Sequence, residues 1–265
     1  MVSWPDLGTR VTVRYRRRAG SIPPLTDAVG HLLAVDPVVR LRTKTGAVVE
    51  CAPADVVALR ILTDTPVRTS EVRALEHAAA AAWPGMEQTW LAGWLLRAGP
   101  GAEIEANSGV PLDISARPDA IGAIVAWYAD RDLIPRLAIP DRLLRVPRGL
   151  ATERVERVLV RDVPEGHPGV SPASGRCSRL GEFARAAVTD APDGTRWVGL
   201  SAIQAAAEPA GPSCEALLAW GAQRGATRGY AHVDDHDSDA IALVESLGFR
   251  LHHRLRYFRV MPGRR

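Results

Sequence analysis

Apolar and polar positions alternate with the period of a strand in the opening segment. "TRVTVRYR" sets Val11 and Val13 on one face, "VVRLRTKTG" continues the alternation, and "AVVECAP" follows the turn glycine Gly46. Short strands with tight turns predict a small β-barrel over residues 1–64. After "TDTPVRTSE" the period changes. Ser70 as an N-cap, Glu71 and the Ala-rich "VRALEHAAAAAWPG" predict a helix stopped at Pro84 and Gly85, which puts a domain boundary near residue 65.

The remaining 65–265 divides into a front half, 65–150, and a C-terminal half, 151–265. In the front half "WLAGWLLRAG" and "AEIEANSGVPL" read as strands joined by a Gly-Pro-Gly hairpin, and "RPDAIGAIVAWYADRD" reads as a helix with Asp119 in its first turn. "PRLAIP" and "RVERVLVRDV" are strand-like, and "PEGHPGVSPASG" predicts a poorly ordered surface loop. "GEFARAAVTDAPDGTRWVGLSAIQA" predicts a hairpin that turns at "APDG". The chain then reads helix, strand, helix, strand: "SCEALLAWGAQRGA", "TRGYAHVD", "SDAIALVESLG" and "FRLHHRLRYFRV". Leu217, Leu218 and Trp220 give the first of these helices an apolar side, with Gly225 as its C-cap. Alternation sets His252 and His253 on opposite faces of the last strand. The fold class is α/β, a mixed α+β sheet with helices on its faces, behind a small β-barrel.

Composition changes this picture little. The 265 residues are 46% hydrophobic, enough for a real core, and the net charge of +3 is spread along the chain. Lys44 is the only lysine, so the many arginines reflect a composition bias more than a nucleic-acid surface, and "RYRRR" (Arg14 to Arg18) reads as solvated strand-end charge. Cys51, Cys177 and Cys214 are odd in number and far apart, which predicts neither a disulfide framework nor a zinc site. No charged-then-apolar leader and no apolar run of membrane-spanning length is present, so the expected compartment is the cytoplasm and no membrane partner is expected.

"WVGLSAIQ" ahead of a Gly-containing loop and helix, "ALLAWGAQRGATRGYAHV", and above all "LVESLGFRLHHRLRY" resemble the C-terminal half of the GNAT N-acetyltransferase superfamily. "AWPGMEQTWLAGWLLRAG", "ANSGVPL" and "AWYADRDLIPR" are similar to the front of an actinobacterial subgroup that carries an N-terminal SH3-like barrel. The resemblance implies an acetyl-CoA cofactor. Its pantetheine arm would lie along Leu200–Ala205, including Ala202, Ile203 and Gln204, and its pyrophosphate would lie on the backbone around Gly211, Ser213 and Cys214 at a helix N-terminus. In the helix pattern N-x-x-A-x-x-L-Y-x-x-x-G-F, "DSDAIALVESLGF" keeps Ala240 and Leu243 and puts Asp237 for the Asn that touches the cofactor.

Departures from the family pattern are concentrated at the anion. No Arg or Lys occurs from Trp197 to Gln223, Glu208 stands where Gln or Arg belongs, Pro212 removes an N–H donor, and the interval from Gly211 to Trp220 is about one turn short. Val244 replaces the Tyr that gives a proton to the departing thiolate. Acyl transfer needs a base near the acceptor nitrogen, and His232, Asp234 and Tyr257 are the candidate catalytic residues, with Tyr230, His232 and Asp234 on one strand face. Asp234, Asp235, His236, Asp237 and Asp239 lack the spacing of a calcium loop and read as helix caps. The leading expectation is acetyl transfer from acetyl-CoA to a small-molecule or peptide amine, with weakened cofactor binding. One alternative is a GNAT fold that has lost turnover and serves as a binding or regulatory module, and another is a pocket for a less anionic acyl donor.

Overall fold

The computed structural model describes residues 4–260 apart from 6, 19, 63–66, 100, 102, 148, 165–176, 181, 182 and 208, with the backbone alone for 177–180. The surface loop expected within 164–175 and the Glu208 position therefore lie outside the described residues, except for Pro164. The chain forms two compact units, Met1–Pro66 and Val67–Arg265.

The first unit is a five-stranded antiparallel sheet of β1 (Arg10–Arg16), β2 (Leu25–Ala34), β3 (Val39–Arg42), β4 (Val48–Cys51) and β5 (Val56–Ile61), in the order β4-β3-β2-β1-β5. Val11, Val13, Leu32, Val39 and Leu41 are fully buried in its core. Gly30 lets β2 run tightly against β3, since a Cβ there would sit 2.4 Å from the Arg42 carbonyl oxygen.

The second unit begins with α1 (Thr69–Ala82). Its N-cap is Arg68, two residues before the Ser70 cap expected from sequence, and the Glu71 carboxylate accepts from the Arg68 backbone N–H at 2.6 Å. Then follow β6 (Glu87–Leu91), β7 (Trp94–Ala98), β8 (Gly109–Val110), α2 (Ile121–Ala129), β9 (Arg136–Pro140) and β10 (Ala151–Asp162). The rest comprises β11 (Cys177–Leu180), β12 (Arg185–Asp190), β13 (Arg196–Ser201), α3 (Ala210–Ala222), β14 (Arg228–Asp234), α4 (Ser238–Ser246) and β15 (Arg250–Arg259). The front hairpin turns at Ala92 and Gly93, inside the first strand run, because both take positive φ (46° and 84°) as a tight two-residue hairpin turn requires. The segment after Gly-Pro-Gly is a 3-10 turn, Ile104–Ala106, ahead of the two-residue β8.

All ten strands form one sheet in the order β11-β12-β13-β14-β10-β15-β9-β8-β7-β6. Its two ends share a connectivity: two antiparallel steps, then a helical crossover to a parallel neighbour, through α2 between β8 and β9 and through α3 between β13 and β14. The two central strands are exchanged between the ends. β10, which follows β9 in the chain, pairs with β14, and β15, which follows β14 and α4, pairs with β9. They pair antiparallel with each other at the seam. α1 packs on the face that carries Val158, Trp197, Tyr230, Leu255 and Tyr257, and α3 and α4 cover the opposite face over Val198, Leu200, Ala231 and Val233.

Candidate active site

β13 and β14 run parallel through Trp197↔Arg228 to Leu200↔Ala231 and then separate. Ala202 takes φ 52°, a left-handed conformation uncommon for a residue with a Cβ, where the chain leaves the sheet. The strands thus open as a V, with the inner edge of β14 from His232 to Asp234 unpaired toward β13. On the α1 face the V leads into a cavity of about 630 Å³. Its wall takes Glu76, Ala79 and Trp83 from α1, Leu200, Ser201 and Ala202 from β13, Tyr230, His232 and Asp234 from β14, and Tyr257 from β15. Gly199 makes the floor possible, because the Tyr230 ring lies across it and a Cβ there would meet the ring at 2.1 Å.

His232 is built into a buried network. Its Nδ1 lies 3.2 Å from Oε2 of Glu156, a fully buried carboxylate on the neighbouring β10, and the Tyr257 hydroxyl donates to the same oxygen at 3.2 Å. Arg154 forms ion pairs with Glu156 (2.8 Å), Asp234 (3.2 Å) and Glu105 (3.4 Å). Burial alone would lower the His232 pKa, but the bond to Glu156 and the charges of Glu76 and Glu156 outweigh it and raise it above the ordinary histidine value. Burial pushes against Glu156 in the same way, and His232 nevertheless holds its carboxyl below the usual range. Glu105, which lines the cavity from the 3-10 turn, is raised by burial and then by the charge of Glu156. Burial lifts the Tyr257 phenol well above its ordinary value, so it stays protonated as a donor.

The two histidines at 252 and 253 do not sit on opposite faces. A β-bulge between the pairs Val158↔His253 and Leu159↔Leu251 leaves His252 as the extra residue, and the two Nδ1 atoms come within 2.8 Å, both side chains buried. His253 Nε2 bonds Glu76 Oε1 at 2.9 Å, and burial followed by the charge of His253 lowers the His252 pKa to about 3, so His252 is neutral.

Of the positions the resemblance assigns to the acyl donor, Ala202 lines the main cavity. Ile203, Gln204 and Asp237 line a second hollow of about 430 Å³ beyond it, with Ala205, Ala206, Ala207 and Asp239. Gly211 packs against Leu243 of α4, and the Ser213 N–H closes the first helical turn onto the Pro209 carbonyl. The Cys214 side chain is fully buried in the apolar core, where burial pushes its thiol up to about 11, and Ala240 is buried beside it, so these two positions could meet a ligand through the backbone alone. The Asp237 carboxylate is already engaged as the N-cap of α4, accepting from Ala240 N–H at 2.9 Å. Loop amides are similarly occupied: Gln204 donates to Phe183, Ala207 to Gln204 and Ala210 to Ala207.

Glu76, Glu105 and Glu156 went unnoticed as site residues in the sequence. Two of them carried a signal. Glu156 interrupts the inward parity of Val158 and Val160 in "RVERVLV", and Glu76 sits in the apolar stripe of α1 between Val72 and Ala79. A charge at a position patterned for burial is expected to be paired or functional.

A mixed sheet whose parallel pair opens beside a crossover helix, onto a cavity holding a carboxylate-backed histidine, is the arrangement that the resemblance to the GNAT superfamily implies. Residues 69–177 and 173–258 match the family described as "Probable histone acetyltransferase Rv0428c C-terminal", and residues 5–60 match "Rv0428c N-terminal Sm-like domain". The chain belongs to this family: it is 60% identical to the "Probable histone acetyltransferase Rv0428c" of Mycobacterium tuberculosis over 293 aligned residues, covering 97% of this chain and 96% of the relative. The N-terminal β unit is thus Sm-like in the family's own description, where the sequence suggested the SH3-like form. Solved structures similar to this chain include a GCN5-related N-acetyltransferase from Kribbella flavida (TM-score 0.48, 12% identity, 72% of this chain and 96% of that one). Another is a GCN5-related N-acetyltransferase from Sphaerobacter thermophilus (TM-score 0.30, 13% identity, 56% and 70%). No helix among the described residues is long and apolar enough to cross a membrane.

Proposed function

We propose that this chain transfers an acetyl group from acetyl-CoA to a primary amine that enters the α1-face cavity as an ammonium ion. The observation that carries this reading is the meeting, at the open end of the β13–β14 pair, of His232 backed by Glu156 with the carboxylates of Glu76, Glu105 and Asp234. Acetyl-CoA supplies the activated thioester carbonyl. The splayed strands suit its pantetheine arm along Leu200–Ala205, while the phosphate end fits less well: among the described residues the second hollow has Asp237 and Asp239 in its wall and no basic residue. One missing charge-assisted phosphate contact is worth about 1.5–3 kcal/mol, so affinity one to two orders of magnitude below that of a full motif is expected.

The carboxylates hold the ammonium, His232 Nε2 takes its proton, and the Glu156 carboxylate stabilises the imidazolium that results. Tyr257, donating to Glu156, fixes that carboxylate's orientation. Because the His232 pKa is raised in the free protein, its basic form is gained there only above the ordinary histidine value, and kcat/KM for the amine should climb with pH through a point above about 6.5. The relative's name, a probable histone acetyltransferase, supports an amine on a protein as the acceptor, and a small-molecule amine fits the same chemistry.

A second reading, a fold that has lost turnover, is favoured by the acidic second hollow and by Val244, which lies on the fully buried face of α4. A tyrosine placed at 244 would overpack the core, so restoring the family's proton donor there does not discriminate. The discriminating experiment is release of free thiol from acetyl-CoA with alkylamine acceptors. Saturable, amine-dependent release that His232→Gln abolishes supports the enzyme, and absence of release across acceptors and pH leaves the binding module.

A further inference from the structure

His232 Nε2 is buried and has no hydrogen-bond partner among the described residues, and it lies 3.9 Å from Glu76 Oε1. That distance is too long for a hydrogen bond and short enough for one donor nitrogen to bridge both atoms. Glu76 is held from behind, where His253 Nε2 bonds the same Oε1 at 2.9 Å and the bulged His252 secures His253 in turn. The Tyr230 hydroxyl, also buried and without a partner among the described residues, lines the same cavity, its ring 5.5 Å from that of His232. Two residues with an orphaned polar atom and a fixed carboxylate thus line one cavity, and the pair His232 Nε2 and Glu76 Oε1 is an arrangement that a cationic nitrogen would complete.

We propose that His232 is a substrate-sensing base: in the empty cavity it carries a proton held between Glu156 and Glu76, and an entering ammonium replaces it as the counter-charge to Glu76 and drives that proton out. This rests on the reading of the cavity as an amine site. The charges facing His232 come from every surrounding element: Glu76 from α1, Arg97 from β7, Glu105 from the 3-10 turn, Arg154 and Glu156 from β10, and Asp234 on its own strand, with His253 and Tyr257 from β15. Nearest His232 four carboxylates therefore meet two guanidiniums, while farther along the cavity wall Arg136 is paired with Glu153 and Glu103 with Arg185, so one further cation is favoured beside the histidine. At rest that cation is the imidazolium, and with acceptor bound it is the ammonium. The expelled proton passes to solvent at the cavity mouth, beside the exposed Glu103. His232 Nε2 then accepts one proton from the ammonium: the substrate N–H bond breaks, an imidazole N–H forms, and the electron pair stays on the substrate nitrogen.

The test is a pH titration of the full chain by imidazole ¹⁵N NMR, with His232→Gln to assign the signal and propylammonium as the probe. In the free wild-type protein His232 should keep its proton beyond the ordinary histidine range. Saturating propylammonium, and separately Glu76→Gln, should each lower its midpoint by about one to three pH units, a tenfold or greater loss of proton affinity. A midpoint unmoved by propylammonium, or unmoved in Glu76→Gln, overturns the proposal. Should Glu76→Gln fail to fold, the amine titration decides alone. Acetyl-CoA is absent from the experiment, so failure here is distinct from a failure to bind or turn over the acyl donor.

Discussion

The two ends of the ten-stranded sheet are built on one connectivity and use it differently. In the front end the parallel pair is a single register, Gly109↔Leu137, and β9 sends Leu137 and Ile139 toward α2, where Trp94, Leu96, Ile124 and Tyr128 fill the space, and on its other face Ala138 packs toward α1 while Arg136, paired with Glu153, reaches the cavity. In the back end the parallel pair is four residues long before it opens, and β14 sends Tyr230, His232 and Asp234 into a cavity under α1. The comparison teaches that the crossover pair is a scaffold indifferent to chemistry. What makes a site is a pair that separates under a covering helix while the inward positions turn polar, and two of the polar groups there are held by a neighbouring strand: His232 Nδ1 by Glu156 of β10, and Glu76, through the bulge of β15, by His253.

Several substitutions would break or sharpen this contrast. The largest effect is expected for His232→Gln, a fall of about 10²–10⁴ in acetyl transfer with the melting temperature little changed, read by thiol release alongside circular dichroism. Next come the glycines of the two parallel pairs. Gly199→Ala drives a methyl into the buried Tyr230 ring and should cost about 1–3 kcal/mol in urea unfolding, whereas Gly109→Ala meets only the end of Leu96, 2.8 Å away, and should cost under about 1 kcal/mol. Equal costs would dissolve the distinction between the pairs. At the seam, His252 stays neutral in the fold with a pKa of about 3 and takes a proton in the unfolded chain below about 6.5. Its stability is present above that value and lost as pH falls, by at most about 1.4 kcal/mol per pH unit, and His252→Gln should flatten the limb between about pH 6.5 and 5. The smallest effect distinguishes the crossover helices. Gly122→Ala in α2 has open space and should stabilise by about 0.5–1 kcal/mol, while the same change at Gly221 in α3 is blocked by Val198 at 2.5 Å and should destabilise.

Much of this was legible in the chain. Alternation located the strands of the first unit, the "APDG" hairpin between β12 and β13, and the final helix, strand, helix, strand series, because each is a local pattern. The symmetry of the sheet was hidden, since β10 and β15 find their partners across the chain and no local period encodes that exchange. His232, Asp234 and Tyr257 were visible as residues of suitable chemistry beside a recognisable motif. Their carboxylate partners were harder to see: Glu156 lies 76 residues from His232, and Glu76 lies 177 from His253. The pairing of His252 with His253 defied alternation because one inserted residue in a strand turns two opposite faces into one. Cys214, beside a helix start in the sequence, is fully buried, since the first turn of α3 already faces the core there.

The central claim is that the open β13–β14 pair receives acetyl-CoA despite an acidic phosphate end. Isothermal titration of the full chain with acetyl-CoA tests it most directly. A saturable heat in the micromolar to millimolar range that is lost as ionic strength falls, when repulsion from Asp237 and Asp239 is least screened, is the predicted result. No heat at millimolar acetyl-CoA at any ionic strength would contradict the account.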